Sequence, residues 1–147
     1  MNVDRLFDIV GSALDAQRQR LNIISGNLAN AGSTRSPGGG PYVRRDVVFQ
    51  SVNHGSPFGQ VFSAEFGGAT EPNGVRVSKV IADPRPPRQV YDPKHPDADT
   101  KGFVAMPNVN VLEEMTNLLA TSRSYEANLA VLDTGKNMAL RVLDLAR

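Results

Sequence analysis

NVNVLEEMTNLLATSRSYEANLAVLDTGKNMALRVLDLAR, residues Asn108–Arg147, is the stretch on which the reading of this chain turns. Taking every third or fourth residue gives Val111, Met115, Leu118, Ser122, Tyr125, Leu129 and Leu132. That 4-3 alternation marks a narrow apolar seam along one side of a helix. Asn110 is placed to cap the first free N–H groups, with Glu113 spaced to reach back to the cap. No proline follows Pro107, and Gly135 is the only glycine of the segment. At ~1.5 Å per residue it makes a rod of roughly 55 Å. A helix of that length exceeds what a compact domain of this size needs, so it is expected to seek partners outside its own fold.

The other end of the chain repeats the pattern. From Asn2 to about Asn30, Phe7, Val10, Leu14, Gln17, Leu21, Ile24 and Leu28 keep the same spacing, with Gln17 the polar member. Val3, Leu6, Ile9 and Ala13 widen the stripe. Asn27, Asn30, Gly32 and Ser33 favour turns and caps, so the helix is expected to fray after Asn27.

Between these ends the chain changes character. Ser36-Pro37-Gly38-Gly39-Gly40-Pro41 is a turn-rich linker; without a closing Lys-Ser/Thr or a preceding strand it is not a phosphate loop. Val43, Val47, Val48, Phe49 and Val52 favour strand, as do Val61, Phe62 and Phe66 beyond the expected turn Asn53–Pro57. Val75 to Val80 alternates like a half-exposed strand. A small antiparallel sheet of two to four short strands is expected here. Asp83–Arg88 reads as a proline-stiffened surface strap. Phe103–Met106 leads into the C-terminal helix.

Composition removes several functions. With a net charge of +1 and mixed signs, the chain lacks the basic stripe of a nucleic-acid binder. It holds no cysteine, which excludes disulfides and thiolate chemistry. No stretch approaches the ~18 apolar residues of a membrane span. Asp4, Arg5 and Asp8 interrupt what a cleavable signal peptide would need. His54 and His95 lie in expected loops without nucleophile or metal-ligand spacing. The carboxylates Asp92, Asp97 and Asp99 suggest a calcium loop, yet Pro93 and Pro96 break its register and its closing glutamate is missing. Glu113 and Glu114, in a first helical turn, are explained by the helix's positive end. No cofactor, metal or catalytic group is expected.

What the two ends share is amphipathic length. From pattern alone they pair either as a closed hairpin within one chain or as seams that also meet other chains. The excess beyond Asp133 still carries Met138, Val142 and Leu145, which promote association if unpartnered.

Asn27-Leu28-Ala29-Asn30-Ala31, after the stripe of the first helix, resembles the signature of the bacterial flagellar rod and hook axial proteins. In many members of that family the signature runs on directly into a Thr-Pro-Gly-Tyr turn, here expanded from Thr34 to Pro41-Tyr42 and followed by Arg44-Arg45. The run Gly102–Asn110, including Asn108 and Asn110, resembles the same family, as do Glu113-Glu114-Met115 and Ser122–Asn128, with Arg123, Tyr125 and Asn128. The likeness covers both ends, about half the chain. It implies a structural rod subunit of the basal body, delivered through the flagellar type III export apparatus without a cleaved signal. Its implied partners are copies of itself and other rod subunits: proximal and distal rod proteins and the adaptor joining rod to MS ring. It implies periplasmic helical assembly and termini that order on assembly. A type III-exported adaptor or effector is the rival class.

With the resemblance, the expected fold is mainly α: long N- and C-terminal helices paired as an antiparallel coiled-coil hairpin around a small β-rich middle. Residues 1–32 form one helix, 33–107 the loop and β-rich segment, and 108–147 the other helix. The expected seam sets Phe7, Val10, Leu14, Leu21, Ile24 and Leu28 against Met115, Leu118, Tyr125, Leu129 and Leu132, with Gln17 fixing register. Asn27 and Asn30 tie the first helix to its loop, and Arg44, Arg45 and Arg123 are candidates for ion pairs between subunits.

Overall fold

The computed structural model describes residues 3–52 and 74–145, without the side chains at 3, 4 and 145. The expected turn at Asn53–Pro57, His54, the strand bias at Val61, Phe62 and Phe66, and the side chain of Leu145 lie outside the described residues.

Helix α1 spans Val3–Ala29. Its end is set by Asn30, whose backbone N–H and side-chain Nδ2 both donate to the Gly26 carbonyl, at 3.1 and 2.8 Å. Orphan carbonyls of a last turn need such donors. Strands β1 (Arg45–Val52) and β2 (Gly74–Ala82) form a two-stranded sheet. Strands β3 (Arg88–Tyr91) and β4 (Phe103–Met106) form a second, antiparallel pair, with Arg88 opposite Met106 and Tyr91 opposite Phe103. Helix α2 spans Val111–Leu145, 35 residues. Asn110 caps it, accepting the Leu112 N–H on Oδ1 at 3.1 Å.

The chain divides into two compact units, residues 1–19, 48–79 and 122–147 in one, and 20–47 and 80–121 in the other. In the first, Val10 and Ala16 are buried. Ser12 Oγ accepts the Val75 N–H at 3.1 Å and donates to the Ile9 carbonyl at 2.8 Å, fixing the start of β2 on α1. Gly135 is buried on α2, and a Cβ there would stand 2.7 Å from Leu6 Cδ2. Leu6 therefore lies against bare helix backbone.

In the second unit the buried apolar side chains are Ile24, Val104 and Val109. The β3–β4 loop is built by its own carboxylates. Asp99 Oδ1 accepts the N–H groups of Lys101 and Phe103, both at 2.8 Å, and Asp92 Oδ1 accepts that of Lys94. Gly102 takes φ +81°, where a Cβ would meet Tyr91 Cε2 at 2.9 Å. Tyr91 packs edge-on against Phe103, centroids 5.3 Å apart.

The expectation of a mainly α chain folded as a coiled-coil hairpin is corrected: the fold is mixed α/β, and the described residues hold two helices and two separate two-stranded sheets. The reason lies on α2. Its inward row is Glu114, Leu118, Thr121, Tyr125, Asn128, Leu132, Gly135 and Ala139, all buried or half-buried. One half of that row is polar or lacks a side chain, whereas a coiled coil needs both of its rows apolar. Val111, Met115 and Leu129 of the expected seam are exposed.

Candidate functional site

Among the described residues the largest fully buried side chains are Glu114, Val104, Asn27 and Pro107, so polar groups share the best-shielded part of this fold. It sits in the second unit, where the end of α1, the approach to β1, the segment after β2 and the first turn of α2 converge.

Asn27 is bonded at every valence its amide has. Nδ2 donates to the Arg45 carbonyl at 2.7 Å and to Glu114 Oε2 at 3.0 Å. Oδ1 accepts the Arg45 N–H at 2.9 Å and the Tyr42 hydroxyl at 3.0 Å. The other oxygen of Glu114 accepts from Arg44 Nε at 2.8 Å. Arg44 reaches on to Asp46 at 3.3 Å and Asp83 at 3.7 Å. Its backbone N–H donates to Asn108 Oδ1, and its carbonyl accepts the Asp83 N–H. Asn108 Nδ2 in turn donates to the Arg85 carbonyl at 3.2 Å.

Burial works against the Arg44 charge, but the bond and charge of Glu114, with Asp46, outweigh it and raise Arg44 above its ordinary value. Arg85, bonded to the Asp83 carboxylate, holds it down at about 2, and Arg44 adds to the effect. A second tie joins the linker to the β3–β4 loop. Asp97 accepts from the Thr34 hydroxyl at 2.7 Å and from the Arg35 guanidinium, and those bonds lower its titration.

This arrangement locks backbone segments together. Among the described residues no group of three or more His, Cys, Asp or Glu side chains is placed to hold a metal ion. Asp92, His95, Asp97 and Asp99 are occupied in loop capping and pairing. No helix of the described residues is long and apolar enough to cross a membrane.

The residues singled out from sequence fall into two sets. Val10, Ile24 and Asn27 are buried, and Phe7, Leu14, Gln17, Leu21, Leu28, Leu118, Tyr125, Asn128 and Leu132 half-buried. Val111, Met115, Leu129, Met138 and Val142 are exposed, the last at 64%. Gln17 Oε1 is buried without a hydrogen-bond partner. Arg44 is consumed within its own chain, whereas Arg45 and Arg123 are exposed, Arg45 lying 5.9 Å from the Tyr42 ring. Sequence reasoning missed the inward turn of Glu114. The signal was present: Glu114 stands four residues before Leu118, on the same row.

Comparison with known proteins places these features in a family. Residues 7–35 match the family profile described as "Flagella basal body rod protein". Residues 100–145 match that described as "Flagellar basal body rod FlgEFG protein C-terminal". A relative named flagellar basal-body rod protein FlgC in Yersinia enterocolitica is 46% identical over the whole of both chains. One so named in Escherichia coli O6:H1 is 49% identical over 97% of this chain and 96% of its own. The Bacillus subtilis relative of that name is 38% identical over 95% of each.

Proposed function

Since the chain belongs to the flagellar basal-body rod protein family and is a structural subunit of the basal-body rod, we propose that it builds the proximal rod by helical polymerisation and passes torque toward the hook. Its neighbours are copies of itself and other rod subunits, including the distal rod proteins and the adaptor that joins rod to MS ring. The flagellar type III export apparatus delivers it without a cleaved signal. In this reading the exposed Val111, Met115, Leu129, Met138 and Val142 meet neighbouring subunits, as does Leu145. The buried and half-buried residues Phe7, Val10, Leu14, Leu21, Ile24, Leu28, Leu118, Tyr125 and Leu132 hold the subunit together. Arg45 and Arg123 are free to pair across subunits.

The observation that carries the reading is the apolar surface left bare along α2. Leu112, Val142 and Leu143 are 75%, 64% and 66% exposed, with Met115, Leu119, Met138 and Leu140 also exposed. Bare apolar surface of this extent marks an interface, and each Leu or Val buried there contributes ~1.5–3 kcal/mol. A contact between unlike patches, repeated without closing, extends a rod.

Replacing Leu129 with Asp tests it. The variant is expected to be made at normal level yet absent from purified basal bodies; normal rods and motility would reject the interface. A wild-type chain that stays monomeric on one cytosolic partner would favour an exported adaptor instead.

A further inference from the structure

The β3–β4 loop grips the linker that follows α1 through Asp97. Its Oδ2 accepts the Thr34 hydroxyl at 2.7 Å, and its Oδ1 accepts Arg35 Nε at 2.7 Å and Arg35 Nη2. Thr34 and Arg35 stand next to Ser33, whose carbonyl accepts the Tyr42 N–H at 3.0 Å and closes the stem of the glycine-rich segment. Inside that segment the bonds are local, from the Ser36 N–H to the Gly40 carbonyl and from the Gly39 N–H to the Ser36 carbonyl. Asp97 is itself positioned by its backbone. Its N–H donates to His95 Nδ1 at 3.1 Å, within a turn that also joins the His95 N–H to the Asp92 carbonyl and the Ala98 N–H to the His95 carbonyl. A ring nitrogen that accepts carries no proton, so this turn requires the neutral imidazole with its hydrogen on Nε2.

We infer that His95 is a pH-sensitive catch, whose protonation undoes the Asp97 turn and releases the linker from the β3–β4 loop. Histidine is the side chain whose charge ordinarily changes between about pH 5 and 8. In the charged ring both nitrogens donate, so Nδ1–H would face the Asp97 N–H, donor against donor. The ring must leave the turn, and the Asp97 N–H loses its partner. The displaced cation is drawn to the Asp97 carboxylate, where it competes with Thr34 and Arg35 for the same two oxygens.

The other charged groups flanking His95 are Asp92, Lys94, Asp99 and Lys101 of its own loop and Arg35 of the linker. Asp92 and Asp99 already accept backbone N–H groups, from Lys94 and from Lys101 and Phe103. Lys94 and Lys101 are exposed to water. Asp97 remains ionised in the range where histidine titrates, because its bonds hold its titration below the ordinary 3.8. The release therefore belongs to His95 and comes well above the pH at which the carboxylates protonate.

His95→Asn separates the bond from the charge. An asparagine Oδ1 accepts the N–H two residues on, as in an Asx turn, and does not titrate. Amide hydrogen exchange is measured on the full chain by NMR at Asp97 and Tyr42, as protection relative to the unfolded chain at each pH. Between about pH 7.5 and 5.5, wild-type protection is expected to fall about fivefold at both amides, the worth of one hydrogen bond. In His95→Asn both are expected to stay constant. Unchanged wild-type protection overturns the inference, as does a fall that persists in His95→Asn. A fall at Asp97 with Tyr42 unchanged overturns the release of the linker. As a second measurement, Thr34→Val combined with Arg35→Gln cuts the tie without touching the turn. Tyr42 protection in that variant should be low at both pH values; a pH-dependent fall as large as in the wild type would also overturn the inference.

Discussion

Asn27 Nδ2 donates to Glu114 Oε2 at 3.0 Å, joining the last turn of α1 to the first turn of α2 across 87 positions of sequence. Both side chains are fully buried. Their bonds run in fixed directions, so the pair sets the register of the two helix ends more sharply than any apolar contact.

Replacing Asn27 with Ala is expected to be among the more damaging single changes. It strands the Glu114 oxygen, the Tyr42 hydroxyl and both backbone groups of Arg45. Buried polar groups left without partners cost about 1–3 kcal/mol each, with partial relief from water, so a loss of about 3 kcal/mol is expected. Urea unfolding of the purified subunit measures it, and a loss under about 1 kcal/mol would mean that water replaces the amide at little cost.

The Arg44–Glu114 pair should behave as a coupled unit. Glu114→Gln takes the nearest countercharge from the Arg44 guanidinium, leaving it Asp46 at 3.3 Å and Asp83 at 3.7 Å, and is expected to cost about 1–3 kcal/mol. With Arg44→Met added, the double variant should lose less than the sum of the two single losses, because the two changes remove the same bond. Additive losses in the double-mutant cycle would show that the two residues do not act on each other.

At Gly102 the backbone at φ +81° and the Tyr91 ring both oppose a side chain. Gly102→Ala is expected to cost about 1–3 kcal/mol from the backbone alone. The Tyr91–Phe103 contact should loosen with it, seen as a weakened near-ultraviolet dichroism signal. Unchanged stability would place the strain elsewhere.

Asp83 titrates at about 2 against an ordinary 3.8, chiefly through its bond from Arg85. Asp97 is also lowered, by the Thr34 hydroxyl and then Arg35. A carboxylate held below its unfolded value contributes stability that is complete above that value and fades as pH falls through the folded one. The subunit should therefore lose stability progressively between about pH 4 and 2. Asp83→Asn should flatten part of that loss, and an identical pH profile for both proteins would count against the Arg85 bond.

The helices were legible in the sequence because two long 4-3 patterns and the Asn110 cap are local signals. The inward face of α2 was not. On a helix that meets other chains, residues buried at home and residues buried in neighbours share one periodicity. Leu118, Tyr125 and Leu132 belong to both readings, but their partner row is Glu114, Thr121, Asn128 and Gly135, which no apolar pattern would select. Glu114 was explained by the helix end, a sufficient reason that concealed a stronger one. Strand β4 passed as a lead-in because four residues carry little pattern and its partner β3 begins Arg88-Gln89. At the polar cluster, Asn27 was expected to tie helix to loop, but Arg44 was expected to face another subunit. A single arginine in sequence does not reveal whether its acid lies at home.

The polar interior also constrains how the sequence can change over generations. An apolar core drifts by small exchanges, each nearly neutral. Asn27, Arg44 and Glu114 offer no such path, because altering any one leaves a buried polar atom of another without its partner. They should therefore be inherited as a block: a descendant that has lost one should have lost the others and refilled the space with hydrocarbon. Between those two solutions lies a stability valley that single substitutions do not cross.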